Sequence, residues 1–238
     1  MCGRFTQSQS ASTIAATFQI AAVPDLLPRY NIAPTQPVLA VLATTEPDSE
    51  PDSKPNREQS AKQTKRQLRQ LRWGLIPSWA KDMSMGARMI NARSETVAEK
   101  PAFRTAFRQR RCLIVADGFY EWQRLERKKQ PFYFRLQDQQ PFAFAGLWEH
   151  WQSPEGDNID SCTILTTQAN ALLSSIHDRM PVILPPASYD LWLDPTVRQA
   201  DSLQPLLQPY PAEAMTAYPV STKVNSPAYD HAECINSL

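Results

Sequence analysis

The chain has little glycine, no excess of charge and no long apolar run. Of its 238 residues only 6 are glycine and 21 are proline, which favours rigid, irregular connections. The net charge of +1 gives no bulk field for nucleic acid or membranes, so any polyanion site must be a local patch. No apolar run approaches the roughly 20 residues that span a bilayer. Because residues 6–13 are mostly polar where a secretory signal needs an apolar stretch, we expect a cytoplasmic protein.

The four cysteines, Cys2, Cys112, Cys162 and Cys234, lie far apart and form no Cys-x-x-Cys pair. Their spacing indicates neither a zinc site nor a disulfide framework, so we expect no metal and no other cofactor. Cys112 and Cys162 fall within apolar runs, which predicts that they are buried as small hydrophobic residues. This usage is typical of a protein from the reducing cytosol.

Segment 45–67 is polar, rich in proline and mixed in charge. It cannot bury enough apolar area to offset its ordering entropy, so we interpret it as a flexible surface insertion. A linker between two domains is the alternative, but only 44 residues precede the segment, too few for a separate core. We expect a single domain over residues 1–238, with an irregular stretch from about Asp194 that contains one short helix.

Short strands dominate the predicted secondary structure. Runs rich in β-branched and aromatic residues predict strands at Pro37–Ala43, Gln70–Gly74, Arg111–Ala116, Gly118–Gln123, Pro131–Gln137, Phe142–Glu149 and Ser161–Thr166. Capping residues and apolar pairs repeated after one turn predict helices at Ser10–Phe18, Lys100–Arg108, Gln168–Ile176 and Ala187–Leu193. The expected fold class is α+β: a β-rich, barrel-like core of mostly antiparallel strands with a few short helices.

Cys2 is the most informative residue, because a small side chain after Met1 favours removal of the initiator methionine. Cys2 would then carry a thiol and a free α-amine, with reference pKa values of about 8.5 and roughly 7.7–8.0. The amine can act as base for the thiol, or both groups can capture an aldehyde as a five-membered thiazolidine. Gly3 permits a close approach, and Arg4 is expected to favour the thiolate and to bind phosphate. The alternative is that Cys2 merely follows the start codon.

Three further residues have side chains suited to hydrogen-bonding or acid–base chemistry. Asn91 follows a short apolar lead, although a helix cap or a turn would use the same residue. Glu121 lies in an aromatic strand on the face of Phe119, where apolar neighbours raise a carboxyl pKa, unless it faces water on an edge strand. His177 titrates near neutral pH, or it is a helix C-terminal residue favoured by the dipole.

Six motifs stand out in order along the chain: Met1–Phe5, Arg29–Thr35, Arg72–Trp79, Ile90–Thr96, Arg111–Trp122 and Ile176–Pro181. Together, over residues 1 to about 225, they resemble the SRAP (SOS-response-associated peptidase) family, whose members process and shield abasic sites. The chain departs mildly from the family pattern in two places. The insertion at 45–67 is longer than the core needs, and Trp79 stands alone where some relatives have two adjacent aromatic residues.

The resemblance implies a covalent reaction. Cys2, freed of Met1, forms a thiazolidine crosslink with the ring-opened aldehyde of an abasic site in single-stranded DNA. Asn91 orients the amine or the sugar, Glu121 relays protons, and His177 acts as acid or base on the deoxyribose and assists reversal. Autocatalytic release of Met1, a peptidase activity, is implied as a maturation step.

The expected partner is single-stranded DNA with an abasic site, bound by a monomer that associates with the nucleoid during repair. Gly3, Arg4, Arg93 and Arg179 are the candidate backbone contacts. For single strands, the logarithm of the binding constant falls with the logarithm of the salt concentration by about 0.7 per phosphate contact. The three arginines therefore predict a slope of roughly −2. Trp79 is a candidate stacking or wedge residue, for which stacking is worth about 1–3 kcal/mol per base. Core packing is its alternative.

Two other functions fit parts of the sequence. An N-terminal nucleophile amidohydrolase of the glutaminase type also begins Met-Cys-Gly, but here Arg4-Phe5-Thr6 replaces the usual apolar, glycine-containing strand, and glycine is scarce for an oxyanion loop. A noncatalytic module that binds single strands through arginines and aromatic residues would not depend on Cys2.

Overall fold

A computed structural model describes residues 2–21, 23–44, 65–126 and 128–238 of the chain. The strands of these residues are β1 Arg4–Gln7, β2 Arg29–Ile32, β3 Pro37–Ala43, β4 Arg66–Trp73, β5 Asn91–Arg93, β6 Arg111–Ala116, β7 Gly118–Arg124, β8 Lys129–Leu136, β9 Phe142–Gln152, β10 Asn158–Gln168, β11 Arg179–Pro181, β12 Ile183–Leu184 and β13 Met215–Pro219. The α-helices are α1 Ala11–Phe18, α2 Arg104–Gln109, α3 Tyr189–Leu193 and α4 Ala200–Leu203, and short 3-10 turns join several elements.

Five strands form a closed barrel in the order β10-β4-β3-β6-β9. The barrel closes because β10 pairs antiparallel with β9 through seven residue pairs from Asn158↔Gln152 to Ile164↔Gly146. Most neighbours are antiparallel, whereas β10 pairs parallel with β4 and β5. Closure removes unpaired edges that would otherwise template association with another chain. The short strands β5, β11 and β12 extend the barrel at its rim.

A second sheet in the order β13-β8-β7-β1-β2 packs against one face of the barrel strands. The shared core contains Val38, Ala40, Trp73, Ile114, Phe144 and Ile164 from the barrel and Phe5, Phe119 and Phe134 from the second sheet. The opposite barrel face lies under the helices, where Val41, Leu113, Ala145 and Leu165 join Ile14, Phe107 and Trp192. Alternation of side chains along each strand therefore supplies both cores.

The fold class is the α+β, barrel-like class that the sequence predicts. The predicted strands Pro37–Ala43 and Arg111–Ala116 are confirmed residue for residue, and the other predicted strands form with bounds that differ by a few residues. The predicted helix over residues 10–18 is also confirmed, and its cap is Ser10, whose side chain accepts a hydrogen bond from the N–H of Thr13. Cys112 and Cys162 are fully buried, as expected.

The helix predicted at Gln168–Ile176 is wrong. The chain continues β10 to Gln168 and then makes turns over residues 171–176. Asn170 caps these turns: its Oδ1 accepts a hydrogen bond from the N–H of Leu173 at 3.0 Å, and its Nδ2 donates to the carbonyl of Tyr210 at 2.8 Å. Backbone bonds from Ser174 to Asn170 and from His177 to Leu173 close turns that do not continue as a regular helix.

Two other helices are shorter than predicted, and several strands were not predicted. The helix expected at Lys100–Arg108 begins at Arg104, and the one expected at Ala187–Leu193 begins at Tyr189 after a 3-10 turn. The unpredicted strands are β1, β2, β5, β11, β12 and β13. β13 lies in the C-terminal stretch and pairs antiparallel with β8, so this stretch is tied to the second sheet.

The insertion predicted at 45–67 lies mostly outside the described residues, which resume at Lys65. Its last residues, Arg66 and Gln67, already belong to β4 and pair with Ala43 and Leu42 of β3. Within the parts of the chain that the structure describes, no helix has the length and apolarity needed to cross a membrane.

Candidate functional site

Cys2 lies immediately before β1 and is completely buried. Its thiol donates to the carbonyl oxygen of Arg4, with an Sγ–O distance of 3.7 Å. Burial raises the pKa of the Cys2 thiol well above its ordinary value, and the nearby negative charge of Glu121 raises it further. The expectation that Arg4 favours the thiolate is therefore wrong: the thiol is protonated at neutral pH and needs a base.

Asn91 contacts Cys2 directly. The Nδ2 of Asn91 donates to the carbonyl oxygen of Cys2 at 2.8 Å. Asn91 is the first residue of β5, which is held in place by parallel pairing with Ile164 of β10. Its Oδ1 is buried and accepts no hydrogen bond from any residue that the structure describes. This side chain therefore fixes the backbone at Cys2 and keeps an acceptor for another group.

Glu121 is buried in β7, with 3 % of its surface exposed, so the alternative that it faces water does not hold. As the strand alternation predicts, Phe119 belongs to the core shared by the two sheets, whereas Tyr120 and Trp122 pack on the opposite side. Burial is the largest cause that raises the pKa of Glu121, to about 7, and the charge of Asp178 adds to it. Glu121 can thus gain and lose a proton near neutral pH.

His177 precedes β11 and does not end a helix, so the helix-terminus interpretation is wrong. Its Nδ1 accepts a hydrogen bond from the backbone N–H of Arg179 at 3.0 Å. Burial lowers the pKa of His177, which favours the neutral ring. Nδ1 also lies 2.9 Å from Oδ1 of exposed Asp178, but the N–H of Arg179 already points to Nδ1. The proton of the neutral ring therefore belongs on Nε2.

These four residues come from four parts of the chain: Asn91 and Glu121 adjoin Cys2, and His177 is reached through its neighbour Asp178. Asn91 contacts Cys2, and Glu121 acts electrostatically on Cys2. Asp178, next to His177, acts on Glu121. The strand β10 organises the arrangement, because β5, which carries Asn91, and β11, which follows His177, both pair with it near Thr166.

The guanidinium of Arg4 is largely occupied within the protein. Its Nη1 donates to Oδ1 of Asn31 and to the carbonyl of Val224, both at 2.7 Å, and its Nη2 donates to the carbonyl of Asn225 at 3.1 Å. The carbon of the guanidinium also lies 6.0 Å from the ring centroid of Trp122. These bonds leave few N–H groups for a phosphate, and they hold the chain beside Cys2.

The other candidate DNA contacts differ in exposure. Arg179 is paired with Glu95 and only 12 % of its side chain is exposed. Arg93 is exposed, Gly3 is half-buried, and Trp79 is 59 % exposed, which argues against core packing for Trp79. Arg93 and Trp79 are thus the two of this set whose side chains are open to a ligand, and the DNA-contact roles remain predictions.

Two buried polar residues anchor β1, and the sequence analysis did not identify either as functional. At one end Asn31 accepts from Arg4 and donates to the carbonyls of Val224, Ser226 and Tyr229. At the other end Asp117 accepts from the Thr6 and Ser8 hydroxyls and from the N–H groups of Ser8 and Gln9. Both residues lie within the six motifs named above, which is the sign in the sequence that they matter. Their role as anchors of β1 depends on partners far away in sequence, so it cannot be inferred from the motifs alone.

Among the described residues, no group of three or more His, Cys, Asp and Glu side chains could hold a metal ion. The donors around Cys2 are instead an amide, one carboxyl and one imidazole, which suit proton transfer and hydrogen bonding to an organic substrate. The fold and site together define an α+β barrel protein with a buried cysteine at the start of its first strand.

The chain belongs to the SOS response associated peptidase (SRAP) family, whose model matches residues 1–227. It is 46 % identical over its whole length to the whole of abasic site processing protein YoqW of Bacillus subtilis. It is 44 % identical to YoaM of the same organism, over 100 % of this chain and 98 % of that protein. It is 35 % identical to abasic site processing protein HMCES of Xenopus tropicalis, over 72 % of this chain and 57 % of that protein.

Solved structures share the fold. A protein from Bacteroides thetaiotaomicron superposes with a TM-score of 0.81 over 100 % of both chains at 24 % identity, a likeness of fold alone. A phage-related protein from Bordetella bronchiseptica gives a TM-score of 0.68 at 28 % identity, over 93 % of this chain and 95 % of that chain.

Proposed function

We propose that this protein recognises abasic sites in single-stranded DNA and captures their aldehyde covalently through Cys2. The observation that carries the proposal is the 2.8 Å hydrogen bond from Asn91 to the carbonyl of Cys2, beside the buried carboxyl of Glu121. An abasic site exists partly as a ring-opened aldehyde, and a cysteine with a free α-amine is the side chain suited to trap it. The relatives named abasic site processing proteins support this substrate class.

The reaction balances without an oxidant or reductant. In the reacting form, Cys2 has lost Met1 and its α-amine is free. The amine adds to the C1′ aldehyde, and loss of one water leaves a C=N bond. The thiol then adds to that carbon: a C–S bond forms, and the thiol proton is transferred to nitrogen. One water is released and a thiazolidine links protein to DNA.

Glu121 is the proton carrier in this scheme. The thiol of Cys2 has a raised pKa and must be deprotonated as it attacks, whereas the carbinolamine must be protonated to lose water. A carboxyl whose pKa is raised by burial can take up and give back a proton in both steps. The same group can protonate the thiazolidine nitrogen or sulfur in reverse, which would release the crosslink.

Asn91 positions the Cys2 backbone, and His177 acts on the deoxyribose. Asn91 holds the Cys2 backbone through Nδ2, and its Oδ1, to which no described residue donates, accepts from the amine or a sugar hydroxyl. Neutral His177 presents Nε2–H to the ring oxygen of the deoxyribose, which helps to open the ring. Holding these groups together replaces a bimolecular encounter, for which effective molarities reach about 10⁵–10⁸ M.

Removal of Met1 is a required maturation step in this proposal, because an amide nitrogen at Cys2 cannot form the C=N bond. Cys2 and Glu121 would be the groups for autocatalytic removal. Arg93, two residues after Asn91 in β5, would contact the DNA backbone, and exposed Trp79 would stack on a base. Lyase activity at the lesion would be a side reaction of the C=N intermediate.

The test is a denaturing gel with protein whose loss of Met1 is verified by intact mass. An oligonucleotide with one abasic site should give a heat-stable shifted band, which should be absent for the undamaged strand and for Cys2→Ala. Cys162→Ala is the matched control, because it removes another fully buried cysteine.

The absence of a shifted band, in protein whose Cys2 amine is free, would reject the proposal. Release of ammonia from glutamine would then favour an amidohydrolase. Equal protection by Cys2→Ala would favour simple binding.

A further inference from the structure

Two cations face each other at the tip of the hairpin formed by β7 and β8, where the two strands meet the connecting loop. Arg124, the last residue of β7, is directly opposite Lys129, the first residue of β8, in the antiparallel register. Both are exposed, and Lys128 beside them is exposed too. The described residues of this tip contain one acid, Glu126.

This pairing is unfavourable for the protein alone. Like charges directly opposite each other on a β-ladder destabilise it. Neither the Arg124 nor the Lys129 side chain makes an ion pair or a hydrogen bond with any residue that the structure describes. An anion placed between the two side chains would convert this repulsion into two attractive contacts.

The cation pair lies close to the candidate site. Arg124 is three residues beyond Glu121 on the same strand, about 10 Å along the chain, and strand alternation puts its side chain on the face of Trp122, opposite to that of Glu121. The positive charge of Arg124 also contributes to the lowered pKa of His177, although burial of the ring is the largest cause. A single strand whose lesion is bound at Cys2 and whose backbone continues past His177 would bring a phosphate to this pair.

We propose that Arg124 and Lys129 form a phosphodiester-binding site for the single strand on the His177 side of the lesion. This inference rests on the proposed function for the identity of the ligand. Arg124 supplies a guanidinium that can grip two phosphate oxygens, and Lys129 supplies a point charge to the same group or its neighbour. The pair adds contacts where Arg4 and Arg179 are occupied within the protein.

The experiment measures equilibrium binding of an undamaged single-stranded oligonucleotide by fluorescence anisotropy across a salt series. The variants are Arg124→Gln, Lys129→Gln and the double variant. Arg104→Gln is the matched control: it also removes one exposed cation, but from α2 on the helix-covered side. The double variant should bind more weakly at low salt. Its plot of log binding constant against log salt concentration should be less steep by about 1.4, at 0.7 for each of two contacts. Its thermal stability should equal or exceed that of the parent, because a repulsion is removed.

Three results would overturn the site: a salt slope unchanged in the double variant, a slope changed equally by Arg104→Gln, or no measurable binding of single strands by the parent. Failure of the proposed function is seen separately, as no Cys2-dependent crosslink by the parent protein.

Discussion

Arg179 and Glu95 form a two-pronged ion pair: Nη1 and Nη2 of Arg179 donate to the two carboxylate oxygens of Glu95 at 2.5 and 2.9 Å. The Nη2 of Arg179 also donates to the carbonyl oxygen of Thr166 in β10 at 2.6 Å. The loop after β5 is thereby tied to β11 across β10. Because Asn91 begins β5 and His177 precedes β11, this pair keeps the spacing between two site residues.

We therefore predict that Arg179→Met lowers the free energy of unfolding by roughly 2 kcal/mol, since a charged donor to Thr166 and Glu95 is lost. Arg179 holds the pKa of Glu95 below its ordinary value. The stabilisation is thus present above the unfolded pKa of Glu95 and is lost as pH falls through the folded pKa. Urea unfolding at neutral and acidic pH should show a difference between parent and variant that shrinks in acid. A difference that grows in acid would contradict the pairing.

For Glu121 we expect the opposite dependence of the free energy of unfolding on pH. Its folded pKa of about 7 lies above the ordinary value of 4.5, so the folded state keeps a proton that the unfolded state releases. The free energy of unfolding should fall as pH rises from about 4.5 to 7 and then level off. Glu121→Gln should remove this decline and raise stability at pH 8 by about 1–3 kcal/mol, measured by urea unfolding. The same variant should lose crosslinking; retention of the full rate would exclude Glu121 as the proton carrier.

For Glu121, sequence reasoning predicted the environment of the side chain: it is buried and its pKa is raised. Alternation along β7 places it on the face of Phe119, and apolar neighbours raise its pKa, both of which follow from local sequence. The protonated thiol of Cys2 was not predictable in this way. Proximity in sequence suggested that Arg4 acts on the thiol, whereas the guanidinium is turned to Asn31 and Val224, residues that only the fold brings near.

Asn91→Ala should slow crosslinking by roughly 10- to 100-fold, because a small misplacement of Cys2 is costly to an oriented reaction. Binding of undamaged single strands should stay unchanged, since the lost hydrogen bond joins Asn91 to the Cys2 backbone. Asn91→Asp is a sharper variant: an ionised carboxylate cannot donate to the Cys2 carbonyl, so its rate should be no higher than that of Asn91→Ala. Single-turnover kinetics at saturating DNA measure the rate. A parent-like rate in Asn91→Asp would contradict the role of Nδ2 as a donor.

We expect a substitution of Arg111 to lower the free energy of unfolding without changing the crosslinking rate. Arg111 is 4 % exposed and donates to the carbonyls of Phe107, Arg108, Trp192 and Asp194. Burial lowers its pKa to about 10, so it remains charged at neutral pH. Arg111→Met should lower the free energy of unfolding by about 3 kcal/mol, because several carbonyls lose a charged donor. The urea midpoint should fall at constant m-value.

The exposed Arg104 provides the comparison for Arg111, and Arg104→Met should shift the midpoint very little. At a temperature where Arg111→Met is folded, its crosslinking rate should equal that of the parent. A reduced rate in fully folded protein would mean that the barrel transmits strain from α2 to Cys2.

The elements that sequence reasoning missed share a physical cause. β5 and β11 have three residues each, too few for a periodic pattern, and they exist because β10 offers them hydrogen bonds. The false helix after Gln168 had suitable residues, but the side chain of Asn170 closes a turn with Leu173. By contrast β3 and β6 are buried strands whose composition alone identifies them. Local composition thus predicts the barrel, and long-range pairing determines its rim, where the site lies.

The position of β1 between β7 and β2 constrains the order of events during translation. β1 leaves the ribosome well before its partner β7, which begins at Gly118. The carbonyls of Val224 and Asn225 that hold Arg4 are made later still. Contacts of such large sequence separation form late, because loop closure must precede them. A nascent chain therefore exposes Cys2 without Asn91 or Glu121 beside it, and the aldehyde capture that we propose would begin only after synthesis has passed these residues.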